Sequence, residues 1–427
     1  MKNRVIKVDE LARVEGEGGL QIRIQDGKVA DVKLRIPEPP RFFEALLRGR
    51  NFAEAPDITA RICGICPVAY QMSAVHAIED AFGITVDGQL RSLRRLMYCG
   101  EYIESHILHA AMLHAPDFLG FDDAIAMARD KPGVVRDALS MKRIGNDIVA
   151  VVGGREIHPI NVRVGGFYRL PSTEELKPLV GRLRWGLDAA RTLALAVGEF
   201  EFPDFEAEYE FLALHHPEEY ALCEGKLRTS SGHELPAREY EFHFEERHVL
   251  HSHALHSFEK GHGEYCVGPL ARFNLNFPSL PKPARELAEE LKLIPPVRNP
   301  FKSILVRLVE TVFAFDEALR IIEQYEPPPR AAVEVIPRPG IGFAATEAPR
   351  GTLYHRYRIN DRGSILDAKI VPPTAQNQPT IEHDLRRFVE ANIEMPREEL
   401  TLRCEQAIRN YDPCISCATH AVRVEFV

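Results

Sequence analysis

Apolar and polar residues alternate from 4 to 36 around two turn signals, Glu17-Gly18-Gly19 and Asp26-Gly27, which predicts two or three antiparallel strands. Residues 41–50 carry the pattern of a short helix. From about 67 to 152 the apolar positions recur every three or four residues, as in Leu93, Leu96, Met97, Ile103, Ile107, Leu108 and Met112. That spacing predicts a long helical tract, broken near Gly83, Pro116 and Pro132. A glycine-rich stretch, Val151 to Gly166, separates it from a helix over 174–199. Residues 203–280 are mixed and rich in His, Phe and Glu. Helices resume over 281–293 and 300–325, punctuated by Ile294-Pro295-Pro296 and Pro327-Pro328-Pro329. Residues 332–372 read as short strands that end at the Pro372-Pro373 break, and a last helix runs from Pro396 to about Asn410. The chain reads as α+β and mostly α. With no repeat, low-complexity segment or long linker, it is expected to form one large domain over 1–427. Within it lie an N-terminal β region (4–36), a helical core (67–330), and a C-terminal β region with the last motif (332–420).

Composition narrows the function classes. With 45% apolar and 27% charged residues, the 427-residue chain has the make-up of a globular protein. The net charge of −9 and the lack of a basic stripe argue against a nucleic-acid partner. No apolar run reaches the roughly 18 residues of a membrane span. The opening MKNRVIKVDELARVEGEGG has neither an apolar core nor a small-residue cleavage site, so the expected location is cytoplasmic.

Four of the eight cysteines form two CxxC pairs, Cys63-Gly64-Ile65-Cys66 and Cys414-Ile415-Ser416-Cys417; Cys99, Cys223, Cys266 and Cys404 are isolated. Two thiolates three residues apart converge on one ion, especially where a loop enters a helix. Pro67 follows Cys66 directly, and proline is favoured at the first helical position, where the helix dipole favours thiolate. Asp412-Pro413 makes a similar rigid entry to Cys414, and His420 continues the three-residue step after Cys417. Spacing alone leaves three readings open. They are a structural four-cysteine zinc site joining the chain ends, a redox-active CxxC, and a catalytic centre for a metal that takes soft ligands. His243, His248, His251, His253, His256 and His262 are irregularly spaced and read as a mixed surface or interface set.

Arg61-Ile62-Cys63-Gly64-Ile65-Cys66 resembles the N-terminal RxCGxC signature of nickel–iron hydrogenase large subunits, and Asp412-Pro413-Cys414-Ile415-Ser416-Cys417-Ala418-Thr419-His420 resembles their C-terminal DPCxxCxxH signature. Interior segments add to the resemblance: Arg13-Val14-Glu15-Gly16, Arg41-Phe42-Phe43-Glu44, Val267-Gly268-Pro269-Leu270-Ala271-Arg272 and Ala348-Pro349-Arg350-Gly351. The resemblance implies a fold with a central bundle of long helices and small peripheral sheets. It implies reversible splitting of dihydrogen at a nickel–iron centre with cyanide and carbon monoxide on the iron. Cys63 and Cys414 would be terminal on nickel, and Cys66 and Cys417 would bridge the two metals. Glu15 is similar in position to the family's proton-transfer glutamate; a carboxylate beside a thiolate holds a proton more readily than a free one. Without the family, Glu15 reads as an exposed acid of a strand turn. Arg350 resembles the arginine that overhangs the metals, with Pro349 packed beside it, and Thr374 falls in the matching segment Ile370-Val371-Pro372-Pro373-Thr374. Glu44, the Ile370 carbonyl and His420 match a second site, usually magnesium.

The same resemblance implies partners: an iron–sulfur small subunit to take the electrons, flavin and NAD(P)-binding subunits, and an endopeptidase that removes 421–427 after His420. The Cys414 motif and the signal-free start resemble the NAD(P)-linked, sulfhydrogenase-like branch. Deazaflavin-linked and heterodisulfide-reductase-linked relatives, and a metal-free scaffold like the complex I homologue, are the alternatives. Against the periplasmic members, Ser105 stands for an aspartate and Tyr70 for a histidine, while His106 is kept.

Overall fold

The computed structural model describes residues 3–419. Three antiparallel strands open it: β1 (Arg4–Val8), β2 (Gly19–Gln25) and β3 (Lys28–Arg35), in that order across the sheet. The β2–β3 turn is Asp26-Gly27, with φ of 51° and 76°, a left-handed pair whose twist suits a tight hairpin. Leu20, Ile22 and Ile24 are buried in alternation, so the period of two in the sequence is one sheet face turned inward.

The short helix α1 (Phe43–Leu47) follows. The long helical tract becomes α2 (Pro67–Phe82), α3 (Gly88–Ile107) and α4 (Pro132–Gly153). After α3 the chain widens into a π-helical turn, Leu108–His114, before Pro116. The helix α5 (Thr173–Gly198) starts with a capping box made by Ser172 and Glu175. The mixed stretch supplies a small sheet from Leu212–His215, Lys226–Thr229 and Glu234–Leu235, and a hairpin of β4 (Phe244–Val249) and β5 (Ser252–Glu259). The short α6 (Pro269–Asn276) and the long α7 (Ser303–Glu323) come next.

Four long helices close into a ring: α3 packs on α4 and α7, and α5 packs on the same two. The α3–α4 contact is backbone to backbone. A Cβ on Gly145 would lie 2.5 Å from the Gly100 carbonyl oxygen, and one on Gly100 would lie 2.9 Å from that of Gly145. Helix α2 is buried nearly all round and lies across the last sheet, β6 (Gly340–Ala348), β7 (Gly351–Ile359) and β8 (Ile365–Val371). These strands are longer than the short ones expected over 332–372. Among the described residues no helix is long and apolar enough to cross a membrane.

The longest helix not foreseen from the sequence is α8 (Pro373–Ala391), where a break is expected; the short α6 lies in the stretch read as mixed. Pro373 takes the first helical position instead of ending structure. The first turns of α8 bury polar residues, so an apolar period shows only in its second half, at Ile381, Leu385, Phe388 and Val389. Gln376 donates to the Thr352 carbonyl at 2.6 Å, Asn377 accepts the Val267 N–H at 2.9 Å, and Thr380 donates to the Tyr265 carbonyl at 2.7 Å. Helix α9 (Arg397–Arg409) and the single turn α10 (Ile415–Ala418) complete the described chain.

Candidate metal centre

Three helix starts meet at the paired cysteines. Cys66 is the N-cap of α2, with Pro67 as its first residue. Cys63 precedes it in extended backbone, and its sulfur accepts the N–H groups of Ile65 and Cys66 at 3.3 and 3.2 Å. From the other end, Asp412 (φ 49°) and Pro413 turn the chain out of α9, and Cys414 caps α10. Helix α8 supplies the third start: the Thr374 hydroxyl accepts the Cys414 N–H at 3.0 Å. The positive ends of these helices favour thiolate.

The four sulfurs of Cys63, Cys66, Cys414 and Cys417 lie within 4.8 Å of one another, and all four residues are buried. Cys63 faces Cys414 at 3.6 Å and Cys66 faces Cys417 at 3.8 Å, while the sulfurs of Cys414 and Cys417 are in disulfide contact. Metal ligation takes all four as thiolates. Within the first pair, hydrogen bonding from Cys66 and the charge of Arg350 bring the Cys63 thiol down, so Cys63 ionises first and Cys66 holds its proton longer.

Arg350 sits at the tip of a two-residue turn, Pro349-Arg350, between β6 and β7, whose last pair is Ala348–Gly351. It is 3% exposed and donates to the Asp412 carbonyl at 2.8 Å and to the Asp412 carboxylate at 3.1 Å. Burial works against its charge, but Asp412, Cys66, Cys63 and Glu15 more than offset that, so the guanidinium stays protonated. The turn is held from beneath by Arg272, which is fully buried. Arg272 donates to both oxygens of Glu310 at 2.7 and 2.8 Å, to Glu347 at 3.0 Å, and to the Ala348 and Pro349 carbonyls at 2.9 and 2.8 Å. Burial alone would raise the Glu310 carboxyl; Arg272 and His106 overcome it and bring it down to about 2. Arg272→Ala strands two buried carboxylates and is expected to cost about 3–5 kcal/mol, read from denaturant unfolding of the chain. Arg272→Lys keeps the charge but loses the fork, and is expected to fall short of full rescue.

Glu15 lies beside the C-terminal cysteines through a parallel bridge to Cys414, in which its carbonyl accepts the Ile415 N–H at 2.9 Å. Its Oε2 lies 3.1 Å from the Cys414 sulfur and accepts the Ser416 N–H at 3.1 Å. Unlike the cysteines it is only partly buried. The approach depends on Gly16, which has φ +85°; a Cβ there would sit 2.8 Å from the Ile415 Cβ and 3.0 Å from the Ser416 nitrogen. Gly16→Ala is therefore expected to cost roughly 2 kcal/mol or more and to lower turnover by displacing Glu15, checked by thermal unfolding and steady-state rates. Arg41 ties the two motif segments together by donating to the Ile62 and Ser416 carbonyls.

Glu44 and Ile370 are also adjacent, but through the Ile370 N–H, which donates to Glu44 Oε1 at 2.8 Å. Burial raises the Glu44 carboxyl. His420 and the tail 421–427 lie outside the described residues. The chain reaches that point close to α1: the Thr419 carbonyl accepts the Arg41 N–H at 2.8 Å.

Arg350 Nη1 and the Tyr70 hydroxyl are among the buried polar atoms at the site without protein partners; burial and the charges of Cys66 and Cys63 push the Tyr70 hydroxyl well up. Four convergent sulfurs, a charged arginine with a spare donor and a tyrosine hydroxyl suit a thiolate-bound metal group that carries hydrogen-bond acceptors. Sequence reasoning missed Glu101. Its carboxylate accepts the Val68 and Ala69 N–H groups at 2.7 and 3.1 Å, anchoring the first turn of α2 behind Cys66. It also missed Glu310 and Glu347; a single acid inside a helix or strand carries no motif. Cys99, Cys223, Cys266 and Cys404 are buried singly, and burial raises each thiol.

The chain matches the family described as nickel-dependent hydrogenase over residues 41–133 and 298–420, the two segments that carry the four cysteines. It is 34% identical over 425 residues to the alpha chain of sulfhydrogenase 1 from Pyrococcus furiosus, covering 98% of each chain. It is 31% identical to a chain of the F420-non-reducing hydrogenase vhc from Methanococcus voltae, covering 98% of this chain and 96% of that one. Among solved structures it superposes on the NAD+-reducing NiFe hydrogenase in its H2-reduced state with a TM-score of 0.90 at 25% identity, over 98% of this chain and 99% of that one. The Desulfomicrobium baculatum NiFeSe hydrogenase, H2-activated and anaerobically purified, follows at 0.76 and 25%, over 98% and 100%. With matching cysteine segments, near-complete coverage and a shared fold, this chain belongs to the nickel-dependent hydrogenase family and is its large, catalytic subunit.

Proposed function

We propose that dihydrogen is split reversibly at Cys63, Cys66, Cys414 and Cys417, which hold a nickel–iron centre, and that the electrons leave to NADP or NAD through partner subunits. The convergence of four buried sulfurs from the two ends of the chain carries this reading. When bound, the metal pair supplies the Lewis-acid and redox chemistry that turns dihydrogen into two protons and two electrons. Cys63 and Cys414 would hold nickel, and Cys66 and Cys417 would be shared with the iron. Arg350, held in place by Asp412, would offer its free Nη1 to an acceptor on the iron, such as cyanide. Pro349 sets the turn that aims it, and Thr374 fixes the Cys414 backbone.

Glu15 Oε2, 3.1 Å from the Cys414 sulfur and partly exposed, would take the proton released at this buried site and pass it outward. The Ser416 N–H keeps that oxygen aimed. Glu44, the Ile370 carbonyl and His420 hold magnesium at a second site that ties the chain end to β8. An iron–sulfur small subunit receives the electrons, and flavin and NAD(P)-binding subunits pass them on in the cytoplasm. An endopeptidase trims the chain after His420 once the metals are in place.

Nucleotide coupling is supported by the likeness to the NAD+-reducing enzyme. The competing acceptor class is favoured by the 31% identity to the F420-non-reducing hydrogenase. The test is dihydrogen-dependent reduction of NADP+, NAD+ and benzyl viologen by the purified complex. Reduction of a nicotinamide nucleotide is expected. Viologen reduction alone would leave the hydrogenase reading intact and remove the coupling. Infrared bands of cyanide and carbon monoxide are expected in the same sample, and their absence would contradict the ligand set assigned to iron.

A further inference from the structure

The hairpin β4–β5 and helix α8 bring together side chains that the hydrogenase reading does not use. His251 lies in the two-residue turn Leu250-His251, between the paired residues Val249 and Ser252; His256 is on β5; and Glu382 is on α8. One ring nitrogen of each histidine and one carboxylate oxygen of Glu382 lie within 4.8 Å of one another. By spacing alone these histidines pass for a surface or interface set, because their partner acid is well over a hundred residues away.

Protein contacts satisfy only part of this cluster. His251 Nε2 is 2.7 Å from Glu382 Oε1, an oxygen that also accepts the Leu34 N–H of β3 at 2.8 Å. His256 is 2% exposed, and its ring faces Gln378, one helical turn before Glu382; Nε2 of His256 and Nε2 of Gln378 are both buried without a well-formed hydrogen bond. Burial lowers the His256 pKa, which keeps its ring neutral, the form that binds metal.

We propose that His251, His256 and Glu382 form a further metal site, sharing no ligand with the paired cysteines or with Glu44, and that it takes zinc. Two imidazoles and one carboxylate are a three-ligand zinc set that leaves a fourth position for water. Donor atoms on a tetrahedral zinc lie ~3.3 Å apart, so side-chain rotations alone gather these three. The Leu34 N–H, which already bonds Glu382, orients the carboxylate as outer-shell donors do at metal sites. The ion joins β3, β5 and α8. β5 carries Ala254, which packs with Ile36, Ala375, Ile415 and Ala418, so the ion braces the platform under the last cysteine motif without touching the catalytic metals.

The test uses the purified, processed complex, incubated with zinc sulfate and dialysed, with zinc and nickel counted per chain. The wild type is expected to retain one zinc whose X-ray absorption edge shows nitrogen and oxygen neighbours and no sulfur. His256→Gln and Glu382→Gln are expected to lose that zinc while nickel content and dihydrogen-dependent viologen reduction stay at wild-type levels. Wild-type complex that retains no zinc, zinc with sulfur neighbours, or variants that keep the ion would overturn the proposal. Nickel content reports folding independently. A variant without nickel is replaced by His251→Gln, and the wild-type zinc edge decides alone if all three misfold. Failure of the hydrogenase reading would show instead as loss of nickel from the wild type.

Discussion

Cys414→Ser is expected to abolish nickel binding and to lower dihydrogen-dependent viologen reduction by more than about 100-fold. Changes in groups that only orient metal ligands already cost about 10–100-fold, and a direct ligand costs more. The serine hydroxyl is a hard donor that stays protonated near neutral pH, so it cannot stand in for a soft thiolate. Cys414 touches several parts of the site: its sulfur faces Cys63 and Glu15, and its N–H is fixed by Thr374. The fold itself is not expected to fail, because the pocket is set by the starts of α2, α8 and α10 and by the Arg272–Glu310 pair. Nickel counts, viologen rates and thermal unfolding of the same preparation check all three points. Wild-type nickel and rate in the variant would remove Cys414 from the ligand set.

Glu15→Gln has a different signature. The amide is nearly isosteric and its oxygen still accepts the Ser416 N–H, so nickel and iron are retained, but it cannot take a proton from the Cys414 sulfur. Turnover is expected to fall by roughly 100- to 10,000-fold, the range for loss of a positioned acid–base group. Glu15→Asp keeps the carboxylate one methylene short and is expected to recover part of the rate. Metal-loaded enzyme with turnover lost separates a proton-transfer role from a structural one. Near-wild-type turnover in Glu15→Gln would send the proton elsewhere.

The paired cysteines are legible in the sequence because their chemistry forces local signals: a proline at a helix start, a fixed three-residue step, a rigid Asp-Pro entry. The hairpin at Asp26-Gly27 and the four long helices show for the same reason, since turn residues and apolar periods are local. The start of α8 is hidden because its first buried turns are built from Gln376, Asn377 and Thr380, whose partners lie on distant segments, and the apolar period sets in only at Ile381. Glu101 and Glu310 are hidden likewise. Each is a lone acid whose meaning comes from the N–H groups of α2 in one case and from Arg272 in the other. Glu44 and Ile370 are read from the sequence as co-ligands of one metal; the structure brings them side by side through the Ile370 N–H, a backbone contact no motif displays. His251 and His256 read as a surface set because the acid beside them, Glu382, lies on a remote helix and leaves no sequence spacing to display.

The central claim is that the four cysteines hold nickel. Its most direct test is nickel-edge X-ray absorption, with nickel counted per chain, on complex from the native host whose large subunit is shown by intact mass to lack Ala421–Val427. One nickel per chain in a sulfur-dominated shell is the result this account predicts. A processed chain with no nickel, or nickel bound by nitrogen and oxygen alone, would contradict it.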